Sequence, residues 1–82
     1  SDRGVWGYEC IGMFRTYQDI EEYFAVNKIT SYLGNTKDNI HPGMLIYRDV
    51  RGQRNADGTY GEADGVIDQN DYVKISNRAN NP

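Results

Sequence analysis

Apolar residues are distributed along this chain in three kinds of pattern. In residues 5–14, VWGYECIGMF, one extended face would carry Trp6, Tyr8, Cys10, Gly12 and Phe14. The other face is apolar as well, and Gly7 and Gly12 interrupt the run, so an irregular strand and a bulged loop fit it equally. Next, Tyr17, Ile20, Tyr23 and Phe24 recur at helical spacing. Thr16, three residues before Asp19, resembles a capping box, and Gln18, Asp19, Glu21 and Glu22 complement the positive start of a helix. Asn27 and Lys28 suit its end. This stripe predicts an amphipathic helix laid over a small core. Ile29, Tyr32 and Leu33 repeat the spacing as far as Gly34, which predicts a short second helix or a continuation of the first.

The third pattern is the short apolar run between turn signals. GNTKDN (34–39) reads as loop, His41 as a turn residue, and Pro42-Gly43 as a turn. MLIYR (44–48) is the clearest strand and ends at Asp49; YVKI (72–75) is a second, shorter one. Folding back of the stretch between them would pair the two strands antiparallel and bring Asp49 close to Asp71. The expected fold is α+β: a single small domain over residues 1–82, with one or two short helices, a short antiparallel strand pair and much loop. The ends, SDRG and NRANNP, suggest a piece of a longer protein.

Composition adjusts this picture in a few places. A chain of 82 residues buries only about 60–65% of its surface, so its core is marginal without a metal or a partner. Seven Tyr, two Phe and one Trp supply bulky anchors and argue for order. Twelve acids against nine bases leave no basic stripe for nucleic acid. The single cysteine, Cys10, allows no internal disulfide and reads as a packing residue. With one histidine, neither a triad nor a zinc set assembles. No apolar run approaches the roughly 18 residues of a membrane helix.

The chemistry concentrates in Asp49 to Asp71, DVRGQRNADGTYGEADGVIDQND. A calcium loop of EF-hand type draws oxygens from positions 1, 3, 5, 7, 9 and 12, with glycine at 6. Asp64 at position 5 puts Gly65 at 6, the Val66 carbonyl at 7, apolar Ile67 at 8, Asp68 at 9 and Asp71 at 12. Gly65 permits the sharp turn, and Ile67 can pin the loop into the core. Counting back contiguously places Tyr60 at position 1, where no carboxylate is available, and Glu62 at position 3. Asp49 is the natural first ligand because it ends a strand, but eleven residues then look inserted. Loop-closure entropy grows slowly enough to tolerate such an insertion. A start at Asp57 puts Glu62 where glycine is needed, and Arg51 as a ligand would set a cation against a cation. The candidate calcium set is therefore Asp49, Glu62, Asp64, Val66, Asp68 and Asp71, with Asn55 and Asp57 as weaker candidates. Asp, Asn and Gly are equally the residues of metal-free turns.

Three blocks, GYECIGMFRTYQDIEEY, HPGMLIYRDVRG and ADGVIDQNDYVKI, together resemble the SusC/RagA-like TonB-linked outer-membrane receptors, in family order and over residues 7 to about 75. The resemblance implies an extracellular segment from the barrel region of a receptor that imports glycan or peptide nutrients, working with a SusD-like surface lipoprotein and with TonB. It places the chain at the outer membrane, on its extracellular face. Plug, TonB box and barrel are not contained in these residues, so the segment would not transport by itself. The chain departs from the family pattern at Arg51, which stands at an Asn position, at Met44, where an acid is common, and in the insertion before Asp64.

The expected function is non-catalytic, with calcium as a structural staple. An alternative is a free-standing adhesion or carbohydrate-binding module that presents Trp6, Tyr8, Tyr17 and Tyr60 as an aromatic platform. Acid–base catalysis by Asp64 and Asp68 is the least favoured reading, because their spacing suits coordination better.

Overall fold

The computed structural model describes residues 4–75. The terminal stretches, where the sequence suggests a cut, lie outside the described residues. The architecture is α+β, as expected: one helix, α1 (Tyr17–Val26), and six short strands. The strands are β1 (Val5–Gly7), β2 (Cys10–Met13), β3 (Ser31–Tyr32), β4 (Leu45–Tyr47), β5 (Val66–Ile67) and β6 (Val73–Ile75). Single 3-10 turns lie at Lys37–Asn39 and Gln69–Asp71.

Helix α1 begins where the sequence says. Thr16 Oγ1 accepts the Asp19 N–H at 3.0 Å, and Asp19 Oδ2 accepts the N–H groups of Arg15 at 3.0 Å and Thr16 at 3.3 Å. The capping box is complete, with Asp in the Glu/Gln place. Asn27 caps the other end, and Lys28, at φ +53°, turns the chain out of the helix. No second helix follows. Although Ile29, Tyr32 and Leu33 keep helical spacing, Gly65 O takes the N–H groups of Thr30 at 2.8 Å and Ser31 at 3.4 Å. Strand β3 pairs in parallel with β5, and the apolar side chains of Ile29 and Tyr32 still reach the core. A neighbouring strand edge outcompetes local periodicity here.

The expected pairing of strands 44–48 and 72–75 does not occur. Strand β4 pairs antiparallel with β2 (Cys10↔Tyr47, Met13↔Leu45), and β6 pairs antiparallel with β1 (Val5↔Ile75, Gly7↔Val73). The stretch 5–13 is the shared template. Its first part takes β6 and its second part takes β4, with Arg48 N–H extending the ladder to Glu9 O at 3.0 Å. Asp49 and Asp71 meet all the same, because the chain leaves the template after β4 and rejoins it before β6. Everything between is an excursion that starts and ends at one place.

The irregularity expected for 5–14 is a bulge between Cys10 and Gly12, with Gly12 at φ +158°. The bulge breaks the alternation: Phe14 is fully buried, while Trp6 and Cys10 are exposed. The expectation that Cys10 packs in the interior is thereby corrected. It lies on the open side of β2, its Sγ donating to Gly12 O. His41 does sit in a turn, closed by Met44 N–H to His41 O, with Gly43 at φ +99°.

The core gathers Phe14, Ile20, Phe24, Ile29, Tyr32, Ile40 and Ile67. Its one polar intrusion is resolved by hydrogen bonds. The Tyr32 hydroxyl donates to Leu45 O at 2.7 Å and accepts the Tyr47 N–H at 2.8 Å, so the buried phenol binds α1's neighbourhood to β4. Burial pushes the Tyr32 and Tyr23 hydroxyls up, Tyr23 to about 12, which keeps both protonated as donors. Among the described residues no helix is long and apolar enough to cross a membrane.

Candidate functional site

The excursion is built on Asp71, the one fully buried charged residue among those described. Its Oδ1 accepts the N–H groups of Val50 at 2.7 Å and Arg51 at 3.2 Å, and its Oδ2 accepts that of Asp68 at 2.9 Å. A single carboxylate thus joins the departing and returning arms. Asp68 Oδ1 accepts the Asn70 N–H at 3.0 Å, completing a capped 3-10 turn over Gln69–Asp71. The D-x-x-D spacing that suggests calcium positions 9 and 12 is equally the spacing of a helical cap.

Asp49 answers from the departing arm. Its Oδ2 accepts the Gly65 N–H at 2.7 Å, while its Oδ1 is buried and has no hydrogen-bond partner. Burial pushes the Asp49 carboxyl above its ordinary value; the Gly65 hydrogen bond opposes this, while the charge of Asp71, a proton shared with the Asp71 carboxyl and the charge of Asp64 add to the rise. Gly65 is irreplaceable for two reasons: its φ is +78°, and a Cβ there would stand 2.2 Å from Lys28 O. Ile67 is fully buried and pins the loop to the core, as the template predicts.

The remaining candidates lie around this pair. Asp64 is exposed, its Oδ1 accepting the Val66 N–H at 3.1 Å. Val66 is half-buried in β5. Thr30 and Ser31 donate to Gly65 O and Leu33 donates to Ile67 O, so the pleat turns the Val66 carbonyl to the opposite edge. The Glu62 side chain is exposed and makes no hydrogen bond or ion pair among the described residues; its carbonyl packs against Gly52, where a Cβ would meet it at 2.5 Å. Asn55 and Asp57 are spent elsewhere. Asp57 Oδ1 accepts both the N–H and the hydroxyl of Thr59, which hold its carboxyl below the usual range, and Asn55 Nδ2 donates to Thr59 Oγ1.

The inserted residues form a hairpin of their own. Gly52 N–H donates to Gly61 O at 2.8 Å, Gly61 N–H to Gln53 O at 3.0 Å, and Asn55 N–H to Thr59 O at 2.7 Å, around an Arg54–Tyr60 bridge. The stem closes between Arg51 and Glu62, leaving Asp49 beside Gly65.

Among the described residues no three His, Cys, Asp or Glu side chains are grouped as a ready-made metal cage. The structure brings together Asp49 and Asp71, with Asp64 near enough to act on Asp49 electrostatically. Backbone N–H groups engage both oxygens of Asp71 and one each of Asp49, Asp64 and Asp68. Sequence reasoning missed Arg51 altogether, treating it only as an obstacle to coordination. Its Nη1 donates to Asn70 O at 2.8 Å and Tyr72 O at 2.5 Å, and its guanidinium lies 5.5 Å from the Tyr60 ring centre. Its immediate neighbours in sequence, Val50 and Gly52, carried no signal of those partners.

The aromatic platform is not assembled as one surface. Tyr8 stacks on Tyr47 at 4.7 Å and meets Tyr72 edge-on, and Tyr17 turns to His41, whereas Trp6 and Tyr60 share a cleft. The chain matches no protein-family model, no curated protein and no solved structure.

Proposed function

We propose that this chain is a non-catalytic extracellular segment of a TonB-dependent, SusC-like nutrient receptor of the outer membrane, in which the acidic excursion is a clasp between β4 and β6. The order and extent of the three sequence blocks support the receptor reading. In such a receptor the partners would be a SusD-like surface lipoprotein and TonB, and the cargo a glycan or peptide.

The observation that carries the clasp is Asp49 Oδ1, buried and without a hydrogen-bond partner, on a carboxylate set against the charges of Asp71 and Asp64. Two neighbouring carboxylates with an oxygen to spare are the donor chemistry of a hard cation. Asp49 and Asp71 would hold calcium, with Asp64, Asp68, Glu62 and the Val66 carbonyl completing the shell from the loop. The ion would supply positive charge where the protein has only backbone N–H groups. Binding to the folded state alone would raise stability with calcium concentration.

The test is the melting temperature of the chain in calcium and in chelator. A rise in calcium of several degrees, lost in Asp49→Asn, is expected; identical curves would leave the clasp metal-free. For the receptor, the parent reading frame should flank this segment with amphipathic strands of about ten residues. A parent protein without them would overturn that assignment.

A further inference from the structure

Next to the clasp, Trp6, Arg51, Tyr60, Gln69, Asn70 and Tyr72 line an open cleft of about 390 Å³. One lining residue, Arg51, is a cation held by neutral groups. The Arg51 backbone N–H bonds the Asp71 carboxylate, but its guanidinium does not; Nη1 is fixed by two neutral carbonyls, those of Asn70 and Tyr72. The ion pairs among the described residues are Lys37–Glu21 and Arg48–Glu9, and Arg51 belongs to neither. In a chain of net charge −3, a half-buried guanidinium is thus oriented from behind while its Nε and Nη2 edge has no protein acceptor among those residues. That edge has the geometry for a two-point bond to a carboxylate.

The walls define the rest of the ligand. Trp6 is 57% exposed and Tyr60 44% exposed, both large flat surfaces left open on a small chain. Tyr60 already lies under the guanidinium, and among the described residues the Trp6 ring makes no aromatic or cation contact, which makes it the stacking face. Gln69 is exposed, and with Asn70 it offers side-chain amides that both donate and accept. The volume suits a ligand of one or two rings.

We infer that this cleft binds an organic carboxylate borne on a six-membered ring, with the acid on the outer edge of Arg51 and the ring against Trp6. The site adjoins the clasp through the Arg51 N–H, but its ligand-facing groups, the Arg51 guanidinium and the Trp6 ring, are not among the carboxylates that would hold calcium. Two kinds of molecule share this chemistry: sugar acids, whose hydroxyls the amides would engage, and aromatic acids, which would rely on stacking alone.

Isothermal titration calorimetry on the full chain separates them, with galacturonate and glucuronate in one arm and phenylacetate in the other, against glucose and the methyl ester of glucuronate. Trp6 is the only tryptophan, so its fluorescence reports contact with the ring directly. Saturable binding of an acid with Kd on the order of 1 mM is expected, as for a small ligand in an open site, with the neutral controls at least about tenfold weaker. Arg51→Lys, which keeps the charge but loses the fork, should weaken binding about tenfold. Trp6→Ala, at an exposed position, should abolish it in the calorimeter while the chain keeps its melting temperature. Sugar-acid binding alone assigns the amides; binding of both acids assigns the guanidinium and ring only. No saturation by either acid up to about 10 mM, or equal binding of the neutral ester, would overturn the inference.

Discussion

Around α1, seven buried side chains meet with no charged group among them, whereas the excursion between Asp49 and Asp71 contributes only Ile67 to that core and buries a carboxylate of its own. The first region is held by apolar area, which is indifferent to ions and to moderate changes of pH. The second is held by five hydrogen bonds from backbone N–H groups to Asp49, Asp68 and Asp71. Directional contacts to charge are strong individually but few, and losing one acceptor strands several buried donors at once. The same small protein therefore has a part that fails globally and a part that can open alone.

The difference can be broken most forcefully from the apolar side. Phe14→Ala removes a fully buried ring that touches Tyr23 and Tyr32 edge-on, and should cost about 3–5 kcal/mol in denaturant unfolding, enough to unfold a chain of this size. Both regions should melt together. Asp71→Ala attacks the other side and should cost about 1.5–3 kcal/mol. Its signature is local: hydrogen exchange should quicken at the amides of Val50, Arg51 and Asp68 while those of α1 stay protected. Uniform acceleration would mean that the excursion is no separate unit.

The smallest effect belongs to Asp49. Its folded carboxyl titrates above the ordinary 3.8, so its contribution favours the fold below that value and is lost as pH rises through the raised one. In chelator, the wild type should lose stability relative to Asp49→Asn across that rise, read as diverging melting temperatures. Parallel pH curves would show that neither burial nor the neighbouring charges raise the Asp49 carboxyl in the folded chain.

Local signals were legible in the sequence wherever one residue decides the outcome. Thr16 and Asp19 fix the helix start because the cap is closed within a single turn, and Gly65 with Ile67 fixes the loop's bend and its anchor. Strand partners were not legible, since strands of two to four residues carry no alternation that could choose between a hairpin and a shared template. The stripe Ile29, Tyr32 and Leu33 misled for a related reason: three apolar residues at helical spacing also suit a chain that turns at Lys28 and then runs extended. The acidic residues were found, but their partners were ambiguous. A carboxylate oxygen accepts from an amide as readily as it binds a cation, and D-x-x-D serves both.

The hairpin that lengthens the loop has its stem sealed by Gly52 and Gly61 and its tip at Asp57 and Gly58. A closed stem isolates what it carries. Sequence added at that tip would change neither the separation of Asp49 from Gly65 nor the grip of Asp71, and the entropic cost of extra length there is slight. The tip is thus a tolerant splice point, open to drift in length and content, and a practical position for displaying a foreign epitope or a spectroscopic tag.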